Sequence, residues 1–403
     1  MKQFFVKTGS VLSNQKSVLT IFIVLAIFAS IQSYFGDLTK LNYGDNLYTQ
    51  YGNYLIFKYS FYHLIDLKDL YIHYPSECGD LYKYSPSFPL LFAPFALLPD
   101  LPGLIFWNLL NGLVLFFAIK SLPGFERNTK SYMLWFVIIE TMTSMQNNQS
   151  NGLIAGLLIF SFVFLEKDKY ALGTLFIVLT AFIKLFGIVA FVFFIFYPKK
   201  IRFFIFSVLW VLLLVVLPVI VISFEQLEIL YRSWGKLLAA DHSISYGFSL
   251  MGWLNTWFGL EINKNMAVLV GAILFMLPLI RFKYYNELRY RLLFLASILI
   301  WIVIFNHKAE SPTFVIAMSG LAIWFFLRKI TPAVLVFILL AFVFGSLTTT
   351  DIFPYFIRQN YLYPYVVKAL PSILIWFILS YELLFFSAHE QIEFFENRSI
   401  NEQ

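Results

Sequence analysis

The chain has 403 residues, of which 60% are hydrophobic and 20% aromatic, while only 13% are charged. That is about half the charged share of roughly 25% carried by a soluble domain. It excludes an ordinary soluble enzyme, a disordered chain and a disulfide scaffold. The formal net charge is +6, but Lys and Arg stand in small clusters between long apolar runs. That distribution belongs to cytoplasmic loops and not to a nucleic-acid-binding face.

Each bilayer crossing needs about 20 apolar residues, and a transmembrane barrel would alternate at period two instead. The long uncharged runs therefore predict an all-α, polytopic integral membrane protein. Residues 1–387 read as one transmembrane domain and 388–403 as a short polar cytoplasmic tail. The lone Cys78 allows no internal disulfide and no cysteine-based metal site.

Lys2, Lys7 and Lys16 precede the first apolar run, Val18–Ile31. The run lacks a clean small-x-small cleavage site and many further runs follow, so it reads as a retained anchor. Residues 35–103 then form a long polar interruption with Asp37, Asp45, Asp66, Asp69, Glu77, Asp80, Asp100 and many tyrosines. The stretch Leu47–Ile65 has the character of an interfacial helix. Pro86, Pro89, Pro94 and Pro99 predict a helix-free surface layer after it.

Further apolar runs lie near 104–119, 131–145, 152–165, 170–183, 185–197, 203–223, 265–280, 292–305, 313–327, 332–347 and 371–386. With the first, they make twelve segments. Two pairs are short. The runs 131–145 and 152–165 flank a polar hexad, Gln146-Asn147-Asn148-Gln149-Ser150-Asn151; the runs 170–183 and 185–197 flank Lys184. Each arm reaches roughly 20–22 Å, short of a hydrocarbon core of about 30 Å. Re-entrant-like hairpins with polar tips in a water-filled cavity satisfy that geometry.

A single tilted span over 170–197 is the rival. Charge counting separates the two. The hairpin puts ten Lys/Arg on the cytoplasmic side, in 199–202, 281–291, 328–329 and Arg398, against six outside: Arg232, Lys236, Lys264, Lys308, Arg358 and Lys368. That favours the hairpin, with both termini cytoplasmic and the working face, including the long first loop, extracytoplasmic.

No GxxxxGK[ST], GxGxxG, HExxH or Asp-x-Asp occurs, so neither nucleotide binding nor a zinc or Asp-x-Asp metal site is indicated. Asp45, some ten residues beyond the first span, is a carboxylate that could take a proton from an acceptor hydroxyl. Lys184 is a lone cation in an apolar hairpin, which is a functional hypothesis by default and suits a lipid phosphate. Asn306-His307-Lys308-Ala309-Glu310-Ser311-Pro312 is a dense polar cluster at a helix end, with groups for phosphate and sugar hydroxyls. The aromatic and polar loop around Trp234, Asp241, His242, Tyr246 and Trp253 suits a carbohydrate or an interfacial belt.

These motifs together resemble glycosyltransferase family 87, a group of GT-C-type membrane enzymes. The resemblance rests on Asp45, Asp69-Leu70-Tyr71, the run from Tyr84-Ser85-Pro86 to Pro94 and Pro99, Gln149-Ser150-Asn151-Gly152-Leu153, and Lys184 followed by Pro198-Lys199-Lys200. The His307–Pro312 segment is a local match further on. One position departs: Leu185 follows Lys184 where the family often has proline.

The resemblance implies a GT-C-like fold and transfer of a hexose, typically mannose, from a polyprenyl-phosphate donor to a lipid-linked or glycan acceptor on the extracytoplasmic face. It implies a multi-pass plasma (inner) membrane enzyme with no nucleotide, no cofactor and no metal. Asp45 is then the general base, and Lys184, His307, Lys308, Glu310, Gln149, Asn151 and Tyr84 bind the donor's phosphate and sugar. A polysaccharide flippase or polymerase and a secondary transporter are the alternatives.

Overall fold

The computed structural model describes residues 13–40, 47–240, 245–328 and 331–387. Asp45, Asp241, His242, Lys2, Lys7, Lys329, Arg398 and the 388–403 tail lie outside the described residues. The protein is an all-α polytopic membrane protein. All twelve apolar runs fold as helix, because a chain in hydrocarbon must satisfy its backbone polar groups internally. Among the described residues five helices are long and apolar enough to cross a bilayer: Gln15–Phe35, Asp100–Ser121, Lys200–Ile220, Pro332–Thr349 and Val367–Leu384.

The chain divides into two compact units, one of Lys16–Ser121 and Thr141–His242, the other of Met1–Gln15, Leu122–Glu140 and Ser243–Gln403. In the first unit α1 is Gln15–Phe35. A two-stranded antiparallel ribbon pairs Thr39 with Tyr48. There follow α2 (Gly52–Ile65), α3 (Phe88–Ala96) and α4 (Asp100–Ser121). Helix α5 (Arg127–Gln146) runs across the division. Then come α6 (Asn151–Glu166), α7 (Tyr170–Ile183), a 3₁₀ helix (Leu185–Ile195), α8 (Lys200–Val216) and α9 (Phe224–Ala240).

The proline-rich segment corrects the expectation of a helix-free layer. Phe88–Ala96 is helical, with Pro94 inside it. Pro89 sits in the first turn, where the missing N–H is not needed. The carbonyls at the far end are held from α2: Tyr54 and Tyr62 hydroxyls donate to Phe95 and Ala96 oxygens at 2.9 and 3.0 Å, and Lys58 Nζ donates to Leu98 oxygen at 2.9 Å. Tertiary donors thus stabilise a helix end that proline weakens.

The segment 170–197 is a hairpin and not one span. Its tip is Lys184, in extended conformation with φ −137° and ψ 120°. At the open end Lys199 N–H donates to Tyr170 Oη at 3.4 Å, and Tyr197 Oη donates to Glu166 Oε1 at 2.6 Å. The arms have 14 and 11 residues. At 1.5 Å per α residue and 2.0 Å per 3₁₀ residue they reach roughly 21 and 22 Å, so the tighter helix lets the shorter arm match the longer.

The second unit contains α10 (Leu250–Phe258), α11 (Lys264–Met276), α12 (Leu288–Ile304), α13 (Phe314–Phe326), α14 (Pro332–Leu340) and α15 (Leu370–Leu384). Beyond Arg289 and Arg291 in its first turn α12 is apolar on every side, as is α13, and almost every residue of both is buried. That is the mark of core helices. They approach closely at Gly320, where a Cβ would stand 2.8 Å from Ala296 oxygen.

Candidate functional site

The polar hexad is held by α4. Asn148 makes the turn in the left-handed region, φ 54°, a conformation that asparagine tolerates. Its carbonyl accepts from Trp107 Nε1 at 2.9 Å, and Asn108 Nδ2 reaches its Oδ1 at 3.4 Å. Asn111 Oδ1 accepts from Leu153 N–H at 2.9 Å, satisfying one open donor at the start of α6. Gly152 and Gly156, four apart on one face, let the helices touch: a Cβ on Gly156 would stand 2.8 Å from Leu115 nitrogen. This is a small-xxx-small contact.

That packing places Asn151 opposite the hairpin tip. Lys184 Nζ donates to Asn151 Oδ1 at 2.7 Å, and Asn151 Nδ2 donates to Gln149 Oε1 at 2.6 Å. Asn151 is fully buried; Lys184 and Gln149 are half-buried. The chain Lys184–Asn151–Gln149 fixes an ammonium at the break between two apolar arms. Lys184 Nζ also lies 5.9 Å from the Phe186 ring centre.

The Tyr84 segment docks beside it. Ser85 N–H donates to Phe182 oxygen at 3.3 Å, two residues before Lys184. Tyr84 stacks on Phe88 at 5.0 Å and meets Phe57 edge-on at 4.9 Å. Tyr71 and Tyr82 hydroxyls donate to Tyr84 and Ser85 carbonyls at 2.9 and 2.7 Å. Burial pushes both phenols well above their ordinary range, so they act as neutral donors.

Asp69 is held within this layer. Its Oδ1 accepts from Tyr71 N–H at 3.0 Å and its Oδ2 from Ser233 Oγ at 2.9 Å. Trp234 Nε1 donates to Lys83 oxygen at 3.3 Å. Helix α9 thus covers the Asp69–Lys83 stretch. Nearby, a cavity of about 390 Å³ is lined by Tyr48, Thr49, Gly52, Pro75, Ser76 and Glu77 among others. Asp45, the expected base, precedes its first lining residues in sequence and lies outside the described residues.

His307, Lys308 and Glu310 belong to the second unit. His307 is half-buried; Lys308 and Glu310 are exposed. Phe248 N–H donates to Ala309 oxygen at 2.8 Å, and a Cβ on Gly247 would stand 2.7 Å from His307 oxygen. Glu310 opens the Ser311–Thr313 turn, its N–H donating to Thr313 Oγ1 at 3.3 Å. Among the described residues no group of three His, Cys, Asp or Glu side chains could hold a metal ion.

Sequence reading missed one cluster in this unit. Lys368, counted above as a cation of an outer connector, is 1% exposed and lies 2.8 Å from Glu140 Oε1, itself 0% exposed. The signal was present: Glu140 is a lone acid inside the apolar run 131–145, and such residues are rarely incidental.

A search of curated proteins finds no match to the chain. The model of glycosyltransferase family 87 matches residues 82–350. The match includes Tyr84, Gln149, Asn151, Lys184, His307, Lys308 and Glu310 and begins after Asp45 and Asp69. A match over more than half the sequence, on a chain whose helices are built for a bilayer, decides the family: the chain belongs to glycosyltransferase family 87 and is a membrane glycosyltransferase.

Proposed function

We propose that the protein transfers a hexose, mannose in our reading, from a polyprenyl-phosphate donor to a lipid-linked or glycan acceptor on the extracytoplasmic face of the plasma (inner) membrane. The observation that carries this is the Lys184–Asn151–Gln149 chain, an ammonium fixed by two amides at the tip of an apolar hairpin. A cation at that position suits a phosphate whose tail stays in lipid. The cavity of about 390 Å³, whose lining mixes apolar groups with Tyr48, Thr49, Ser76 and Glu77, suits a sugar acceptor.

The chemistry is inverting displacement. The acceptor oxygen attacks the anomeric carbon as the bond from that carbon to the phosphate oxygen breaks. The acceptor proton goes to the Asp45 carboxylate, and polyprenyl phosphate leaves. Lys184 stabilises the charge that grows on the phosphate; such preorganised groups supply much of a rate enhancement. Tyr84, Gln149 and Asn151 orient the donor's sugar and the groups around it. Separately, His307, Lys308 and Glu310 of the second unit are groups that bind phosphate and sugar hydroxyls.

The test is transfer of labelled mannose from synthetic polyprenyl-phosphate mannose to membrane glycolipid by the purified protein. Wild type should transfer and Asp45→Asn should not, at equal expression. Near-normal turnover by Asp45→Asn removes the base assignment. Failure of wild type to bind any polyprenyl-phosphate sugar removes the donor class.

A further inference from the structure

The Lys368 ammonium joins four separate segments of the second unit. It donates to Glu140 Oε1 on α5 at 2.8 Å, to Ser311 Oγ at the start of the turn before α13 at 2.8 Å, and to Thr349 Oγ1 at 3.4 Å. An ammonium has three donors, and these contacts use all three. The Phe314 ring lies 5.4 Å below it. Two residues earlier Val366 is held at φ 54°. A β-branched residue in the left-handed region is a genuine outlier.

Stability alone does not explain this arrangement. Well-packed apolar residues hold helices together at least as well as a buried ion pair. What the pair adds is direction. Ser311 directly follows the His307–Glu310 segment, and on its other side that segment is fixed by the Phe248 N–H to Ala309 oxygen bond and by Gly247.

We propose that Lys368 is a positioning residue: held by Glu140, it fixes Ser311 and so holds the His307–Glu310 segment in the conformation that binds phosphate. This rests on the reading of that segment as a donor contact. Ser311→Ala cuts the link and leaves the ion pair in place, Ser311→Thr keeps the hydroxyl, and Thr349→Val removes the longest contact without touching the segment.

The experiment uses the full-length protein in nanodiscs and measures polyprenyl-phosphate binding together with amide exchange over residues 305–313. Ser311→Ala should weaken binding about tenfold, the scale of one lost hydrogen bond to a charged group, and speed exchange in the segment. Ser311→Thr should restore both, and Thr349→Val should change neither. Wild-type binding that Ser311→Ala leaves untouched, or exchange that it leaves unaltered, overturns the positioning role while the donor reading stands. Wild type that binds no polyprenyl phosphate overturns the donor reading and this role with it.

Discussion

Gly187 and Thr180 meet without room for a side chain: a Cβ on Gly187 would stand 2.6 Å from Thr180 Cγ2 and 2.8 Å from its carbonyl carbon. This contact lets the 3₁₀ arm fold back on α7 directly after Lys184. Gly187→Ala should therefore push the arms apart and displace Lys184 from Asn151. We expect destabilisation of about 1–3 kcal/mol, the cost of overpacking, and loss of most transfer. Gly235→Ala is the control, because nothing stands within 4 Å of a Cβ there. Equal melting temperatures for both variants would contradict the hairpin packing.

The Lys184–Asn151 bond predicts two different failures. Lys184→Met removes the cation and should cost about 100-fold or more in transfer, the scale of losing one preorganised charge-stabilising group. Asn151→Asp keeps the shape but sets a carboxylate 2.7 Å from the ammonium. It should neutralise Lys184 and repel the donor phosphate, raising the donor KM more than it lowers kcat. Steady-state kinetics with varied donor measures the split, and unchanged kinetics in Asn151→Asp would remove Lys184 from the phosphate site.

The helices were legible because apolar runs in lipid have no alternative to helix. Lys184, Gln149 and Asn151 were legible as polar residues in apolar surroundings. Their meeting was not, since Lys184 and Asn151 are 33 residues apart and the packing of α6 on α4, at Gly152, Leu153 and Gly156, brings α6 to its place. Glu140 and Lys368 are 228 residues apart, and a lysine at the edge of an apolar run looks like any loop cation. The Phe88–Ala96 helix was hidden because donors from α2 satisfy its end. The 3₁₀ arm was hidden because Leu185–Ile195 has the same composition as an α-helical span.

Cys78 is a test of the outer layer's packing. It is buried, and burial pushes its thiol up to about 12. The reactive species is the thiolate, so iodoacetamide at pH 8 should label the native protein slowly and the denatured protein fast. Rapid labelling of the native protein would mean that the layer around Glu77 and Asp80 opens readily.

The His63–Glu77 pair gives this layer a pH dependence. His63 Nε2 lies 2.8 Å from Glu77 Oε2, and its ring lies 4.1 Å from that of Tyr74. Burial holds the imidazole below its ordinary 6.5, outweighing the upward pull of the Glu77 carboxylate. A histidine with a lowered folded value favours folding while neutral, and protonation favours the open form. Its contribution is therefore present above pH 6.5 and is lost as pH falls through the lowered folded value. Amide exchange over residues 52–82, followed from pH 7.5 to pH 5 and corrected for intrinsic rates, should show protection falling on acidification. His63→Gln should flatten that profile while leaving α2 helical. Protection that rises on acidification would mean that the Glu77 carboxylate dominates and that the pair is an ion pair in the folded protein.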